Sequence, residues 1–173
     1  MSDEVKKPNK IESFVQYIIE LIQKDNGAAA ALKRADNPST EYQSWEYLAR
    51  FIDIDKDYER LPYAMIASAL AKAKVDRNGK IHIGEAIARC YEEGNNSDQA
   101  KAKLRRLLAC DSIEEVCRVL RPLFSLINSK TMIQLDYTQL LKDLYWFNAD
   151  NQRVKTRWAQ NFYRHHSSDE ANI

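Results

Sequence analysis

Lys101, Lys103, Arg105 and Arg106 place four positive charges within six residues, the densest run of positive charge in this 173-residue chain. Cations on a helix contact phosphates or carboxylates, so the segment reads as a positioning surface rather than an active site. Around them Leu104, Leu107, Leu108, Ile113, Val116, Cys117, Leu120, Leu123 and Phe124 recur at three- and four-residue steps. That period predicts helices with one packed face and the other basic. Asp111 and Ser112 precede Glu114 and Glu115, and Ser112-x-x-Glu115 is the pattern of a capping box, which sets a short corner between two helices.

Other residue types offer no catalytic constellation. His165 and His166 are adjacent, so on a helix they point about 100° apart, and neither Cys nor carboxylate stands beside them to complete a metal site. His82 stands alone next to a helix start. Asp53, Asp55 and Asp57 begin like a calcium loop, but Tyr58 occupies the sixth position where Gly is needed and Met65 the twelfth where Glu is needed. Phosphate-loop, dinucleotide-binding, nucleophile-elbow and His-Glu-x-x-His patterns are absent, and no metal or cofactor is expected. Tyr137, Tyr145, Trp146, Phe147, Trp158, Phe162 and Tyr163 crowd the C-terminal half at helical spacing beside Leu140, Leu141 and Leu144, which points to core packing rather than base stacking.

The elements that must position these groups are helical throughout. Four glycines and four prolines interrupt a chain rich in Ala, Leu, Lys, Arg, Glu and Gln, so the expected class is all-α. The first helix is expected after Pro8, with Asn9 as cap and Glu12 three positions on, and with Ile11, Phe14, Val15, Ile18, Ile19 and Ile22 inward. After a turn at Asp25-Asn26-Gly27, further helices are expected over 28–35, 42–51, 62–74 and 83–91, with a turn at 76–79. The second half predicts helices over 97–109, 112–128, 136–147 and 151–165, whose short connections favour a four-helix bundle. The polar run Glu93–Ser97 is the natural joint between two packed subdomains, 1–94 and 95–166, with 167–173 a flexible tail.

The formal charge is only +1, so nucleic-acid binding requires charge to be segregated. It is: from Asp98 to Lys130 seven cations face four acids, a local surplus of three, and the last helix carries Arg153, Lys155, Arg157 and Arg164 with no acid. Cys90, Cys110 and Cys117 form no Cys-x-x-Cys pair, and the latter two sit among apolar residues as small core groups, which suits a reducing cytoplasm. The first ten residues lack an apolar signal core, and no run approaches the ~20 apolar residues of a membrane span.

Several blocks in order resemble one family. LRRLLACDSIEEVCRVLRPLFSLI (Leu104–Ile127), LDYTQLLKDLYWF (Leu135–Phe147) and VKTRWAQNFY (Val154–Tyr163) are similar to CasB, the small subunit of the type I-E CRISPR surveillance complex, Cascade. Upstream, DNGAAAALKRADNP (Asp25–Pro38), WEYLARF (Trp45–Phe51) and IGEAIA (Ile83–Ala88) fit the same family in the same order. The resemblance implies a non-enzymatic helical subunit, two copies lying head to tail along a crRNA-guided complex. Its implied partners are the backbone and large subunits, crRNA, and target DNA including the displaced strand. The family's basic surface would fall on Lys33, Arg34, Arg60, Lys101, Lys103, Arg105, Arg106, Arg121, Arg153 and Lys155. Arg105 or Arg121 could instead hold the corner by pairing with Asp111, Glu114 or Glu115. The competing reading is a helical protein-interaction adaptor with no nucleic-acid role; a small hydrolase or nuclease lacks its cluster.

Overall fold

The structure, a computed structural model, describes residues 9–130 and 132–164. His165, His166 and the tail at 167–173 lie outside the described residues. α1 (Lys10–Lys24) opens where Asn9 and Glu12 cap each other: the Asn9 side chain accepts from the Glu12 N–H at 2.9 Å while the Glu12 carboxylate accepts from the Asn9 N–H at 3.4 Å. Phe14, Val15, Ile18 and Ile19 are buried along its inner face, with Ile11 and Ile22 at the margins only partly so. Asp25 ends α1 and also starts α2 (Asn26–Lys33), its carboxylate accepting from the Ala28 N–H at 3.0 Å. The expected three-residue turn is therefore a one-residue break, because a capping Asp satisfies an N–H of the next helix immediately.

Helix was expected over 42–51, but the chain forms a 3-10 turn, Glu41–Ser44, followed by the single-turn α3 (Trp45–Leu48). The buried Ser44 hydroxyl donates to the Glu41 carbonyl at 2.6 Å, a local bond that competes with regular helix. α4 (Asp57–Ala73) starts five residues before Pro62, which sits inside it. Asp57 and Glu59 supply the acidic first turn that favours a helix start, so the proline marks an early turn rather than the beginning. From Pro62 to Ala71 every side chain is buried, the signature of a helix enclosed on all sides.

α4 packs against α1, α2, α7 (Ile113–Asn128) and α8 (Tyr137–Trp146). α5 (Ile83–Arg89) packs most extensively on α9 (Asn151–Tyr163) and also meets α6 (Asp98–Leu108). The α5–α9 approach depends on Gly84, where a Cβ would stand 2.1 Å from the Trp158 carbonyl oxygen. Between α4 and α5, the Gly79 N–H donates to the Leu135 carbonyl at 2.9 Å and the Ile81 N–H to the Gln134 carbonyl at 3.1 Å, while the Asp136 N–H returns to the Ile81 carbonyl at 2.9 Å. This parallel bridge between Ile81 and Leu135 is isolated, so the described residues form an all-α protein of nine α-helices with no strand. The buried residues make one continuous cluster from Phe14 to Phe162. The expected joint near residue 94 thus lies between elements whose neighbours, α4 and α5, pack against helices on its far side.

Candidate nucleic-acid interface

α6 is capped by Ser97, whose hydroxyl accepts from the Ala100 N–H at 3.2 Å, and it buries Ala100, Leu104 and Leu107. Ser112 caps α7, accepting from the Glu115 N–H at 3.3 Å. The Glu115 carboxylate does not complete the reciprocal box; it accepts from the Asp111 N–H at 2.7 Å and so stiffens the corner one residue earlier. Asn148, from the α8–α9 turn, accepts from the Ile113 N–H at 3.1 Å. The two helices that carry the basic segment are therefore held at their shared corner by side chains from three places in the chain.

On α6, Lys103, Arg105 and Arg106 are exposed and Lys101 is half-buried. None of the four makes a side-chain hydrogen bond or ion pair within the chain among the described residues. They do not share one face. At about 100° per residue, Lys101 and Arg105 fall on one flank of the buried stripe and Lys103 and Arg106 on the other, the two pairs ~150° apart around the axis. The expectation of a single basic face opposite a packed one is thus refined to a ridge with two basic flanks. Lys103 and Arg106 line a cleft of about 330 Å³ with Tyr91, Gln99 and Ala102.

The remaining candidates divide by whether the fold already uses them. Lys33 and Arg153 are exposed without a side-chain partner among the described residues, and exposed Arg34 donates to the Gln43 side chain at 3.0 Å. Arg60 is 18% exposed, paired with Asp57 at 2.7 Å and Glu41 at 3.5 Å, and donates to the Ile54 carbonyl at 2.7 Å. Its guanidinium is committed to the loop before α4. Lys155 is 16% exposed, lies 3.5 Å from Asp111 and sits over the Phe147 ring. Arg121 reaches neither Glu114 nor Glu115: it pairs with Asp36 at 3.7 Å and also donates to the Asp36 carbonyl. Lys72 joins the same carboxylate at 2.7 Å, so Asp36 ties the end of α2 to α4 and α7. These three cations reached by sequence reasoning, Arg60, Arg121 and Lys155, hold the fold together.

Two further placements differ from expectation. Trp146 is 58% exposed and Tyr163 50% exposed, although their spacing suggested core. Trp146 follows the last buried residue of α8, Leu144, and faces outward beside Tyr145, at 5.1 Å between ring centres. Trp158 and Phe147 are buried and stacked 5.9 Å apart, as core packing requires. Beneath them Asp143 is buried, accepting from the Trp158 indole at 2.9 Å and from Gln139 at 3.0 Å, and paired with Arg157. Burial pushes the Asp143 carboxyl above its ordinary range, and the Gln139, Trp158 and Arg157 donors draw it back only in part.

The acids that resembled a calcium loop are engaged locally. Asp53 accepts from the Asp55 N–H at 3.1 Å, Glu59 accepts from the Asp53 N–H at 2.9 Å, and Asp57 holds Arg60. Burial raises all three thiols, Cys117 furthest, to about 12, so none is a poised nucleophile. Sequence reasoning also passed over cations around the 76–79 turn, where Lys74, Arg77 and Lys80 flank clefts shared with Asn128, Lys130 and Gln134. Their alternation with apolar and turn residues hid them from a count of consecutive charges. No helix among the described residues is long and apolar enough to cross a membrane.

The α6 candidates are thus cations on a rigid helix with no side-chain partner among the described residues. Comparison with known proteins narrows this. The profile of the CRISPR-associated protein Cse2 family matches residues 28–163, and the chain belongs to that family. It shares its fold with M. ruber CasB, at 23% identity over 95% of this chain and 98% of that one, with a TM-score of 0.76. A Cse2-family protein from Thermus thermophilus is 20% identical over 90% of this chain and 98% of that one, with a TM-score of 0.75. A chain of a CRISPR RNA-guided surveillance complex is 21% identical over 90% of this chain and 91% of that one, with a TM-score of 0.68. No curated protein sequence matches the chain.

Proposed function

We propose that this chain is a non-catalytic small subunit of a type I-E Cascade surveillance complex, acting in the cytoplasm. In this reading it stabilises crRNA-guided binding of target DNA, including the displaced strand, through basic helix surfaces. Family membership and the fold shared with a chain of an RNA-guided surveillance complex support the assembly. The single observation that carries the surface assignment is that all four α6 cations lack a side-chain partner among the described residues while Arg60, Arg121 and Lys155 have one. A cation already paired releases less free energy on meeting a phosphate, because its first partner must be given up. The contacting set is therefore Lys101, Lys103, Arg105 and Arg106, with Lys33, Arg34 and Arg153 as further contacts. Base pairing to the guide supplies sequence specificity, so phosphate contacts suffice from the protein. Weak binding by the isolated chain follows from its formal charge of only +1.

The two flanks of α6 make the reading more specific: Lys101 with Arg105, and Lys103 with Arg106, meet different stretches of backbone. Gel-shift titration of the assembled complex at several salt concentrations tests it. Replacing all four by Ala should weaken target retention similarly across target sequences and lower the salt slope by about 0.7 to 0.9 for each phosphate no longer neutralised. Each flank replaced alone should give part of the effect. Unchanged affinity and slope in a folded, assembled variant would move the interface off α6. Normal assembly without any nucleic-acid dependence would favour the adaptor reading.

A further inference from the structure

A second cationic surface lies outside every residue assigned above. One cleft, of about 300 Å³, is lined by Lys72, Lys74, Asp76, Arg77 and Lys130 among others. A neighbouring one, of about 480 Å³, is lined by Arg77, Lys80 and Gln134 among others. Arg77 and Gln134 line both, so the two adjoin. Five cations face them against one carboxylate, Asp76, a surplus of four in a chain whose formal total is +1, which leaves the rest of the molecule at −3. Lys72 is held by Asp36. Lys74, Arg77, Lys80 and Lys130 make no ion pair or side-chain hydrogen bond within the chain among the described residues.

The backbone at Lys74 adds an independent observation. It ends α4 in the left-handed region, φ 52° and ψ 47°, the only non-glycine residue described with a positive φ. Glycine is the residue that ordinarily takes this position after a helix, because a Cβ is strained there. A lysine held in that conformation at the lip of a cationic cleft points to a use for its charge. The helix dipole of α4 accounts for a cation near this end, but Arg77 and Lys80 lie beyond the helix.

We propose that these adjoining clefts form a second phosphate-contacting track for a nucleic-acid strand, with Lys74, Arg77, Lys80 and Lys130 as its contacts. Three of the four are lysines, and the one aromatic side chain of the lining, Tyr137, is buried in the core. Protein–protein interfaces are depleted in lysine and anchored by exposed aromatics, so this composition favours a phosphodiester backbone over an acidic protein. The clefts are walled by Gly79, Ile81 and Gln134, whose backbones are joined across the bridge, so the cations of the 74–80 segment are set on a fixed support. Asn78 reinforces it, donating to Asp136 at 2.9 Å and accepting from the Tyr137 N–H at 2.8 Å.

The identity of the polyanion rests on the nucleic-acid reading above, and the test separates the two. Fluorescence anisotropy of a labelled single-stranded oligodeoxynucleotide with the purified full chain, between about 50 and 200 mM salt, compares wild type with R77E/K130E, with the quadruple α6 variant and with Lys74→Gly. The double variant should bind more weakly, with a salt slope shallower by about 1.4, two phosphates at ~0.7 each. Its effect should add to that of the α6 variant. Lys74→Gly should bind more weakly while melting ~2–4 °C higher, since it removes the left-handed strain along with the charge; a lysine kept only for the helix end would lose stability instead. Unchanged affinity and slope for folded R77E/K130E, with a loss in the α6 variant, overturns the track and leaves the proposed function standing. No binding by wild type at any salt overturns the track as well.

Discussion

Replacing Gly84 by Ala tests the packing that joins α5 to α9. The added Cβ would stand 2.1 Å from the Trp158 carbonyl oxygen, 2.9 Å from the Phe162 nitrogen and 3.1 Å from the Trp158 carbonyl carbon. All three are backbone atoms of a helix, so relief requires α5 and α9 to separate rather than a side chain to rotate. Overpacking of this kind costs about 1–3 kcal/mol, and the rigid partner places it at the upper end. Alanine returns ~1 kcal/mol of helix propensity. The net is a loss of about 2 kcal/mol, or roughly 4–8 °C in Tm for a chain of this length. Urea unfolding of the purified protein should show a lower midpoint with an unchanged slope, the pattern of reduced stability without a change in exposed surface. A variant as stable as wild type, or stabilised by the propensity gain, would refute the close backbone approach.

Gly79→Ala should be destabilising for a related reason, since its Cβ would lie 2.0 Å from the Gln134 carbonyl oxygen; thermal melting reads the loss, expected at about 1–3 kcal/mol. Asp143→Asn replaces the acceptor for Trp158 and Arg157 by an amide that never ionises. Its pH dependence has a definite sign. Burial raises the native carboxyl above 3.8, so its contribution is full below that pH and declines as pH rises through the raised value. Urea midpoints on both sides of pH 3.8 should therefore show the wild-type advantage over the variant shrinking as pH rises; an advantage that grows would mean Arg157 holds the carboxyl low. Thiol titration with a disulfide reagent at mildly alkaline pH should find Cys90, Cys110 and Cys117 slow in the native protein and fast in denaturant, since burial raises each. A thiol that reacts rapidly in the native state would contradict this.

Features written in adjacent residues were legible. The Asn9–Glu12 box, the Ser112 cap and the Asp136 cap, which accepts from the Gln139 N–H at 3.0 Å, all depend on side chains three positions apart. The apolar stripes of α1 and α7 follow from period alone. Pro62 misled because a proline signals a helix's first turn without saying how many residues precede it. The site was harder to read, since a cation's availability depends on partners that one-dimensional spacing does not show. Arg121 meets Asp36 across 85 positions, and Lys155 meets Asp111 from a different helix. Trp146 shared the helical period of its neighbours yet stands past the edge of the buried stripe.

The close approach of Gly84 to Trp158 also sets a condition on biosynthesis. α5 buries its small-residue face mainly against α9, and 74 positions separate Gly84 from Trp158. At about 5–20 residues per second, the ribosome needs roughly 4–15 s to supply the partner after α5 has been made. During that interval Ile83, Ala86 and Ile87, all fully packed in the finished protein, lack their main cover. The nascent chain therefore presents a transient apolar surface at its middle, and that is where chaperone occupancy during translation should concentrate.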